Sequence, residues 1–348
     1  MTVNDRLKGE RRRPGFPVNA LLLLTRPILM RSRLRRLPPL LYRLPILAVL
    51  ALTAAAFVHL SKPKGDEAPP VPQVVDLAPT LYLPVDVNHR VERWMRRYLT
   101  DMRPEFELYL AREGRYSDMI RDALERRGLP GDLIYLAAIE SAFSPVAISS
   151  ASATGMWQFM GPTAQQFGLR IDEYVDERRD PIRATEAALD YLQALHEQFG
   201  SWYLAAAAYN AGPGRVALAL RSRPAGEVGD ETIYWDIIEH LPPETREYVP
   251  KILAAILLSR AAETYGFHLV ERDNPVHFDR VWVPGGTSLN RMASSMNVPP
   301  SRIRELNPHL IRGVTPPGSL FPLRVPPGQS SQLVASMGNR WRTLVVDD

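Results

Sequence analysis

Leu133-Ile-Tyr-Leu-Ala-Ala-Ile-Glu140-Ser141 is a helical, almost wholly apolar run that closes on a carboxylate. A carboxyl group among apolar neighbours resists ionisation, because burial in low dielectric disfavours its charged form. Such a group can keep a proton at neutral pH and donate it. For any single Glu, a partly exposed place at a helix end is the commoner fate. Two companion stretches reverse those odds here: Gly155-Met-Trp-Gln-Phe-Met160 follows shortly after, and Ala208-Tyr-Asn-Ala-Gly212 lies farther along.

The pattern around this run stays helical from about Val85 to Phe267. Val91, Trp94, Met95 and Leu99 recur at helical spacing. Tyr109, Met119 and Leu124 suit one or two short helices, stopped by Gly114 and by Gly128. Pro130 and Asp132 suit the first turn of the Glu140 helix, with Pro145 just beyond its end. Pro162 to Phe167, Pro181 to Phe199, Trp202 to Asn210 and Glu244 to Tyr265 read as further helices. No strand alternation interrupts them, so residues 85–267 are expected to form a mainly α domain.

A smaller unit follows over residues 276–328. Asp279-Arg-Val-Trp-Val283 alternates like a strand, Gly285-Gly286-Thr287 makes a turn, and Ser288 is placed to cap a helix through Ser295. Pro300 to Leu306 predicts a second helix and Phe321 to Val325 a returning strand. Strand, helix, helix, strand is a small α+β module. Residues 329–348 form a tail with little pattern.

The N-terminal end is of another kind. Residues 1–36 carry ten Lys and Arg against Asp5 and Glu10, a local charge of +8. The whole chain is +4, so the remainder is −4 and a nucleic-acid partner is not expected. This basic leader, residues 1–43, runs into the apolar stretch Leu44 to Leu60, at the short end of what spans a hydrocarbon core. Positive charge ahead of an apolar run orients the remainder outward. The expectation is an uncleaved signal anchor; cleavage near Ala54-Ala55-Ala56 is the alternative, and Met30 is an alternative start. Residues 61–84, with Ala68-Pro-Pro-Val-Pro72, read as an extended tether.

The chain has no Cys, so no disulfide, catalytic thiol or lipid-modified cysteine is expected. Its seven His, at 59, 89, 196, 240, 268, 277 and 309, are scattered. No metal site and no cofactor are predicted.

General acid catalysis on a sugar requires a protonated carboxyl within hydrogen-bond reach of the glycosidic oxygen, and most glycosidases pair it with a second carboxylate. Asp132 lies eight residues before Glu140, roughly 12 Å along a helix axis, and suits the helix start better. Asp172, Glu173, Asp176, Glu177 and Asp180 surround Arg178 and Arg179 and read as a structural ion-pair cluster. No partner for Glu140 stands out. Gln158 could donate an amide hydrogen to a substrate, or simply bond backbone. Tyr209 and Asn210 open the turn Ala211-Gly212-Pro213-Gly214 and could be packing and turn residues. Trp157, Phe159, Trp202 and Trp235 are candidates to stack on sugar faces, although such residues are more often core.

Together, Glu140-Ser141-Ala-Phe-Ser-Pro145, Ser149, Gly155-Met-Trp-Gln158-Phe-Met160 and Ala208-Tyr-Asn-Ala-Gly-Pro-Gly-Arg-Val216 closely resemble family-1 lytic transglycosylases, which carry a lysozyme-like α-helical domain. Asp176-Glu-Arg-Arg-Asp-Pro181 and Glu244-Thr-Arg-Glu-Tyr-Val-Pro-Lys251 look like the membrane-bound type D branch. Gly286-Thr-Ser-Leu289, Asn297-Val and Ile303-Arg-Glu-Leu-Asn-Pro308 resemble a degenerate LysM module.

The resemblance implies a peptidoglycan strand as substrate and Glu140 as sole acid/base. The bond between N-acetylmuramic acid and N-acetylglucosamine would be cut without water, closing a 1,6-anhydro ring. By the same resemblance, Ser149 and Gln158 contact the muramoyl N-acetyl region, Tyr209 and Tyr248 border Glu140, and Asn210 and Met156 shape the groove. The implied location is the periplasmic face of the inner membrane, or the periplasm if the apolar segment is cleaved. A hydrolytic muramidase and a non-catalytic wall-binding scaffold are the alternatives.

Overall fold

Asn88 begins the helical part: its side-chain oxygen accepts from the amides of Arg90 and Val91 at 3.0 and 3.3 Å and caps helix α1 (His89–Leu99). The computed structural model describes residues 82–223 and 230–336, which lie within one compact unit. The expected leader and apolar segment fall outside the described residues, as do the tether up to residue 81 and the last twelve residues of the tail. No helix among the described residues is long and apolar enough to cross a membrane.

Helix α2 (Arg103–Arg126) is one 24-residue helix, not two short ones. Gly114 does not stop it; it admits a neighbour. A Cβ there would lie 2.5 Å from the Asp273 carbonyl oxygen and 2.9 Å from Arg272 Cβ. The segment that presses on Gly114 is bonded to the same helix, with Asp273 N–H donating to Ala111 O at 2.8 Å and Val276 N–H to Arg115 O at 3.2 Å. A side chain at position 114 would force these strands of backbone apart.

After a 3₁₀ turn (Gly131–Leu133) comes α3 (Ile134–Ser141), then α4 (Gly161–Gln166), α5 (Pro181–Phe199), α6 (Trp202–Ala211), α7 (Pro213–Leu220), α8 (Thr232–Ile237) and α9 (Pro243–Arg260). Helix α9 is nearly all apolar from Val249 to Leu258 and forms the centre, packing against α1, α3 and α6. Pro250 sits inside it and leaves the Arg246 carbonyl without its helical donor. The buried Tyr234 hydroxyl replaces that donor, 3.1 Å from Arg246 O and 3.0 Å from Thr245 O. The helix ends at Arg260, earlier than the sequence pattern predicts. Residues 261–266 turn instead, and Phe267 drops into the core against Phe106.

Asp132 does not cap the Glu140 helix. It is buried, accepts from Leu83 N–H at 2.9 Å and pairs with Arg260 at 2.5 Å, tying the entry of the described chain to the end of α9. Burial raises its pKa more than the arginine and the amide lower it.

The C-terminal unit has the predicted order: β1 (Asp279–Val283), α10 (Leu289–Ser295), α11 (Pro300–Leu306) and β2 (Phe321–Val325). The strands pair antiparallel, with Asp279 opposite Val325 and Val283 opposite Phe321. Alternation sends Val281 and Val283 inward to meet Leu289, Ile303 and Leu323. Ser288 holds the N-cap position of α10, yet its side chain makes no cap bond. A further helix in the tail, α12 (Ser330–Ser336), adds Leu333 to this core. Among the described residues, the mainly α architecture with one small two-stranded sheet is as the sequence predicts.

The acidic cluster is structural, and it joins the two parts. Asp180 caps α5 through the amides of Ile182 and Arg183 at 3.0 and 3.2 Å. Its carboxylate also takes both arms of a buried pairing from Arg324 Nη2 in β2, at 2.8 and 2.7 Å. Val175 packs into the C-terminal core, and Asp176 N–H donates to His309 O at 2.9 Å.

Candidate active site

Helix α3 delivers Glu140 to its own C-terminal end. Two consecutive left-handed residues, Ala142 (φ 52°) and Phe143 (φ 56°), stop the helix there and turn the chain away. Neither is glycine, so each conformation costs about 1–2 kcal/mol and must be held by its surroundings. Phe143 is buried as an anchor, Ala142 N–H donates to Ala138 O at 2.8 Å, and Arg112 Nη1 donates to Ala142 O at 3.2 Å.

The carboxyl of Glu140 is half-buried and receives the Tyr248 hydroxyl on Oε1 at 2.6 Å. Its pKa is raised from 4.5 to about 7. Loss of water raises it most; the Tyr248 hydrogen bond lowers it, the charge of Glu244 raises it and that of Lys251 lowers it. Tyr248 and Tyr209 are themselves held well above the usual phenol range, by burial first and by Glu140 second. Both therefore keep their protons across the working pH range.

Tyr209, on α6, donates to Trp157 O at 2.7 Å and packs among Phe159 and Tyr191. It holds the loop that carries Gln158. That loop is fixed from three sides. Trp157 Nε1 donates to Thr185 Oγ1 on α5 at 2.9 Å, and Ser141 Oγ donates to Met156 O at 2.7 Å. Arg178 Nη1 donates to Ser152 O and Phe159 O, each at 3.2 Å, while the rest of the guanidinium pairs with Asp176. Gly155 (φ 89°) lies so close to Arg178 that any Cβ would collide with the Arg178 carbonyl.

Several residues singled out in the sequence take other places. Gln158 adopts φ 49° and its amide nitrogen donates to Gly155 O at 2.8 Å and Ala147 O at 3.3 Å. Both hydrogens are thus spent on backbone, and the expected amide donation to a ligand is not available in this conformation. Met156, Trp157 and Phe159 are buried, so none presents a ring or side chain to solvent. Met156 can act only from beneath the surface. Trp202 stacks on His196 at 3.9 Å. Ser149 is half-buried at the start of the loop, where its hydroxyl accepts from Ala153 N–H at 3.0 Å.

Asn210 lies between α6 and α9, donating to Glu244 Oε1 at 3.2 Å and accepting from Thr245 Oγ1 at 2.7 Å. Glu244 is the residue that sequence reasoning missed. It stands one helical turn before Tyr248 on α9, exposed, and its charge is felt at Glu140. The i, i+4 spacing within Glu244-Thr-Arg-Glu-Tyr248 is the signal that could have found it.

A model described as "Transglycosylase SLT domain" matches residues 118–228, the stretch that holds Glu140, the Gln158 loop and Tyr209. A model described as "Lytic transglycosylase MltD, LysM-like domain" matches residues 277–337. The chain is homologous to membrane-bound lytic murein transglycosylase D of Escherichia coli (strain K12), 32% identical over 228 residues. That match covers 65% of this chain and 49% of the relative, so the chain spans about half the length of that protein. The soluble lytic murein transglycosylase of the same strain is 32% identical over 146 residues, which is 40% of this chain and 22% of the relative. Among solved structures, the 70 kDa soluble lytic transglycosylase of Escherichia coli matches 51% of this chain and 31% of its own at 25% identity, with a TM-score of 0.37.

Proposed function

We propose that this protein is a peptidoglycan lytic transglycosylase in which Glu140 serves first as acid and then as base. The observation that carries the reading is a half-buried carboxyl group at the end of an apolar helix whose Oε1 accepts from the Tyr248 hydroxyl at 2.6 Å; its burial pushes the pKa up to about 7. The hydroxyl of Tyr248 has one proton to donate and directs it to Oε1, which leaves Oε2 as the oxygen that carries the transferable proton.

In the first step Oε2–H protonates the glycosidic oxygen and the C1–O bond of the muramoyl sugar breaks. The carbonyl oxygen of that sugar's own N-acetyl group supports the electron-poor C1. In the second step the Glu140 carboxylate takes the proton of the C6 hydroxyl while the C6 oxygen bonds to C1. Glu140 ends protonated, no water is consumed, and the product carries a 1,6-anhydro ring. A group that changes role in this way works best with a pKa near the working pH.

In this reading residues 85–267 are the catalytic domain and 276–328 the LysM-like module. Ser149 and Gln158 lie along the muramoyl N-acetyl group, Gln158 through its carbonyl oxygen. Tyr209, Asn210 and the buried Met156 shape the groove around it. The protein works on murein from the periplasmic side, held at the inner membrane by the apolar segment Leu44 to Leu60.

Digestion of purified sacculi followed by mass spectrometry tests the reaction. Anhydro-muropeptides are expected, and fully hydrated reducing ends in their place would overturn it. Glu140→Gln should abolish turnover and leave sacculus binding. Glu244 gives a specific reason to weigh a hydrolytic muramidase, since it places a second carboxylate's field at Glu140. The same product analysis separates the two.

A further inference from the structure

A cleft of about 850 Å³ opens between the helical part and the C-terminal unit. Its volume falls in the range of small-ligand sites, on the order of 300–1,000 Å³. One wall includes Phe143 to Val146, the segment that directly follows the Glu140 helix. That wall begins three residues after Glu140, so its first Cα lies within about 11 Å of the Glu140 Cα. The opposite wall comes from the start of α10, from α11 and from residues 308–314.

Five arginines line the cleft against two carboxylates, Asp273 and Glu305. Arg115 pairs with Glu305, and Arg312 lies 3.6 Å from Glu173. The other three have no carboxylate partner among the described residues. Arg112 donates to the Ala142 carbonyl and Arg304 to the neutral Asn290 side chain at 2.6 Å. Arg179 has a buried Nε with no hydrogen-bond partner at all. A buried donor left unmet costs free energy until an acceptor arrives. Guanidinium forks match carboxylates in both geometry and charge. An uncharged glycan would not call for them, and the aromatic rings of the walls, Tyr116 and Phe143, are buried and offer no stacking face.

We propose that this cleft binds the carboxylate-bearing peptide stem of the peptidoglycan strand while the strand's glycosidic bond lies at Glu140. The proposal rests on the transglycosylase reading for its substrate. Each muramoyl sugar carries such a peptide, and the wall at Phe143 to Val146, which begins three residues after Glu140, is within reach of one on a strand seated there. Arg112 and Arg179 meet it from the helical part and Arg304 from the C-terminal unit.

The test uses the full chain carrying Glu140→Gln, titrated by calorimetry or NMR with free L-alanyl-γ-D-glutamyl-diaminopimelate. Saturable binding that weakens with salt is expected. It should fall tenfold or more in Arg112→Gln/Arg179→Gln. Arg304 is exposed, so Arg304→Gln leaves the fold intact and should weaken binding by a similar factor from the opposite wall. Absence of saturable binding overturns the proposal, and so does binding that neither variant reduces. Succinate binding as well as the tripeptide would also overturn it, by leaving only a general anion site. Anhydro-product formation from wild type on peptide-free glycan strands is measured alongside. Products without tripeptide binding would fell the cleft alone, and tripeptide binding without anhydro products would fell the reaction alone.

Discussion

Tyr248 donates its hydroxyl proton to Glu140 Oε1 across 2.6 Å, joining two residues 108 positions apart in the chain. The bond favours the carboxylate and so opposes the dominant effect of burial. Tyr248→Phe removes that opposition, and the pKa of Glu140 should rise above about 7. Because Glu140 must be protonated to start the reaction, the alkaline limb of the pH–rate profile moves to higher pH. A limb that stays in place, or moves down, would refute the assignment of this bond.

Glu244→Gln should act in the opposite direction. The negative charge at Glu244 raises the pKa of Glu140, so its removal lowers that pKa and shifts the alkaline limb to lower pH. Glutamine keeps an acceptor for Asn210. Under the transglycosylase mechanism the variant still releases anhydro-muropeptides; loss of all turnover with Glu140 intact would make Glu244 a partner in chemistry.

Glu140→Gln should stabilise the folded protein at alkaline pH. The folded-state pKa, about 7, exceeds the ordinary carboxyl value of 4.5, so the folded form binds more protons than the unfolded form between those values. The contribution is fully present below pH 4.5 and is lost as pH rises through 7. At pH 8 the neutral amide avoids a penalty on the order of 2 kcal/mol after allowance for partial solvent access. Thermal melts at pH 8 and pH 5 check this: the variant should gain in Tm at pH 8, and the gain should shrink at pH 5.

Arg324→Met should destabilise the protein by about 3–5 kcal/mol, because it strands the buried charge of Asp180. Despite burial, the Arg324 guanidinium holds the Asp180 pKa below its ordinary value. The stability from that shift is present above about pH 4 and is lost as pH falls through the folded value. The neighbouring His309 is held down to about 4 by burial, so it is neutral in the fold and charges on unfolding between pH 4 and 6.5. Denaturant titration at pH 7 reads the loss; a change under 1 kcal/mol would show that the pair does not bind the two parts together.

Much of this architecture is local and was legible in advance. Helix α5 begins at Pro181 behind an Asp180 cap and ends before Gly200, and both ends are written in neighbouring residues. The strand Asp279–Val283 follows from its own alternation, and the apolar run ending at Glu140 forms the expected helix. The boundaries that differed depend on distant partners. Gly114 reads as a helix stop until residues 272–276 are seen lying against it. Asp132 reads as a helix-start residue until Leu83 and Arg260 arrive to claim it.

The same division runs through the site. Periodicity and composition alone determined that this chain builds a mainly α body with a small α+β unit behind it, and that a lone acid closes an apolar helix. Those properties depend on neighbours a few residues away, where side-chain spacing and backbone preference act directly. Tertiary structure alone decided that Tyr248 and Glu244 act on that acid in opposite senses, that Gln158 spends its amide on backbone, and that Asp180 is paired from 144 residues away. Burial and electrostatic coupling depend on which groups the folded chain brings together, and the pKa of Glu140 is set by that assembly.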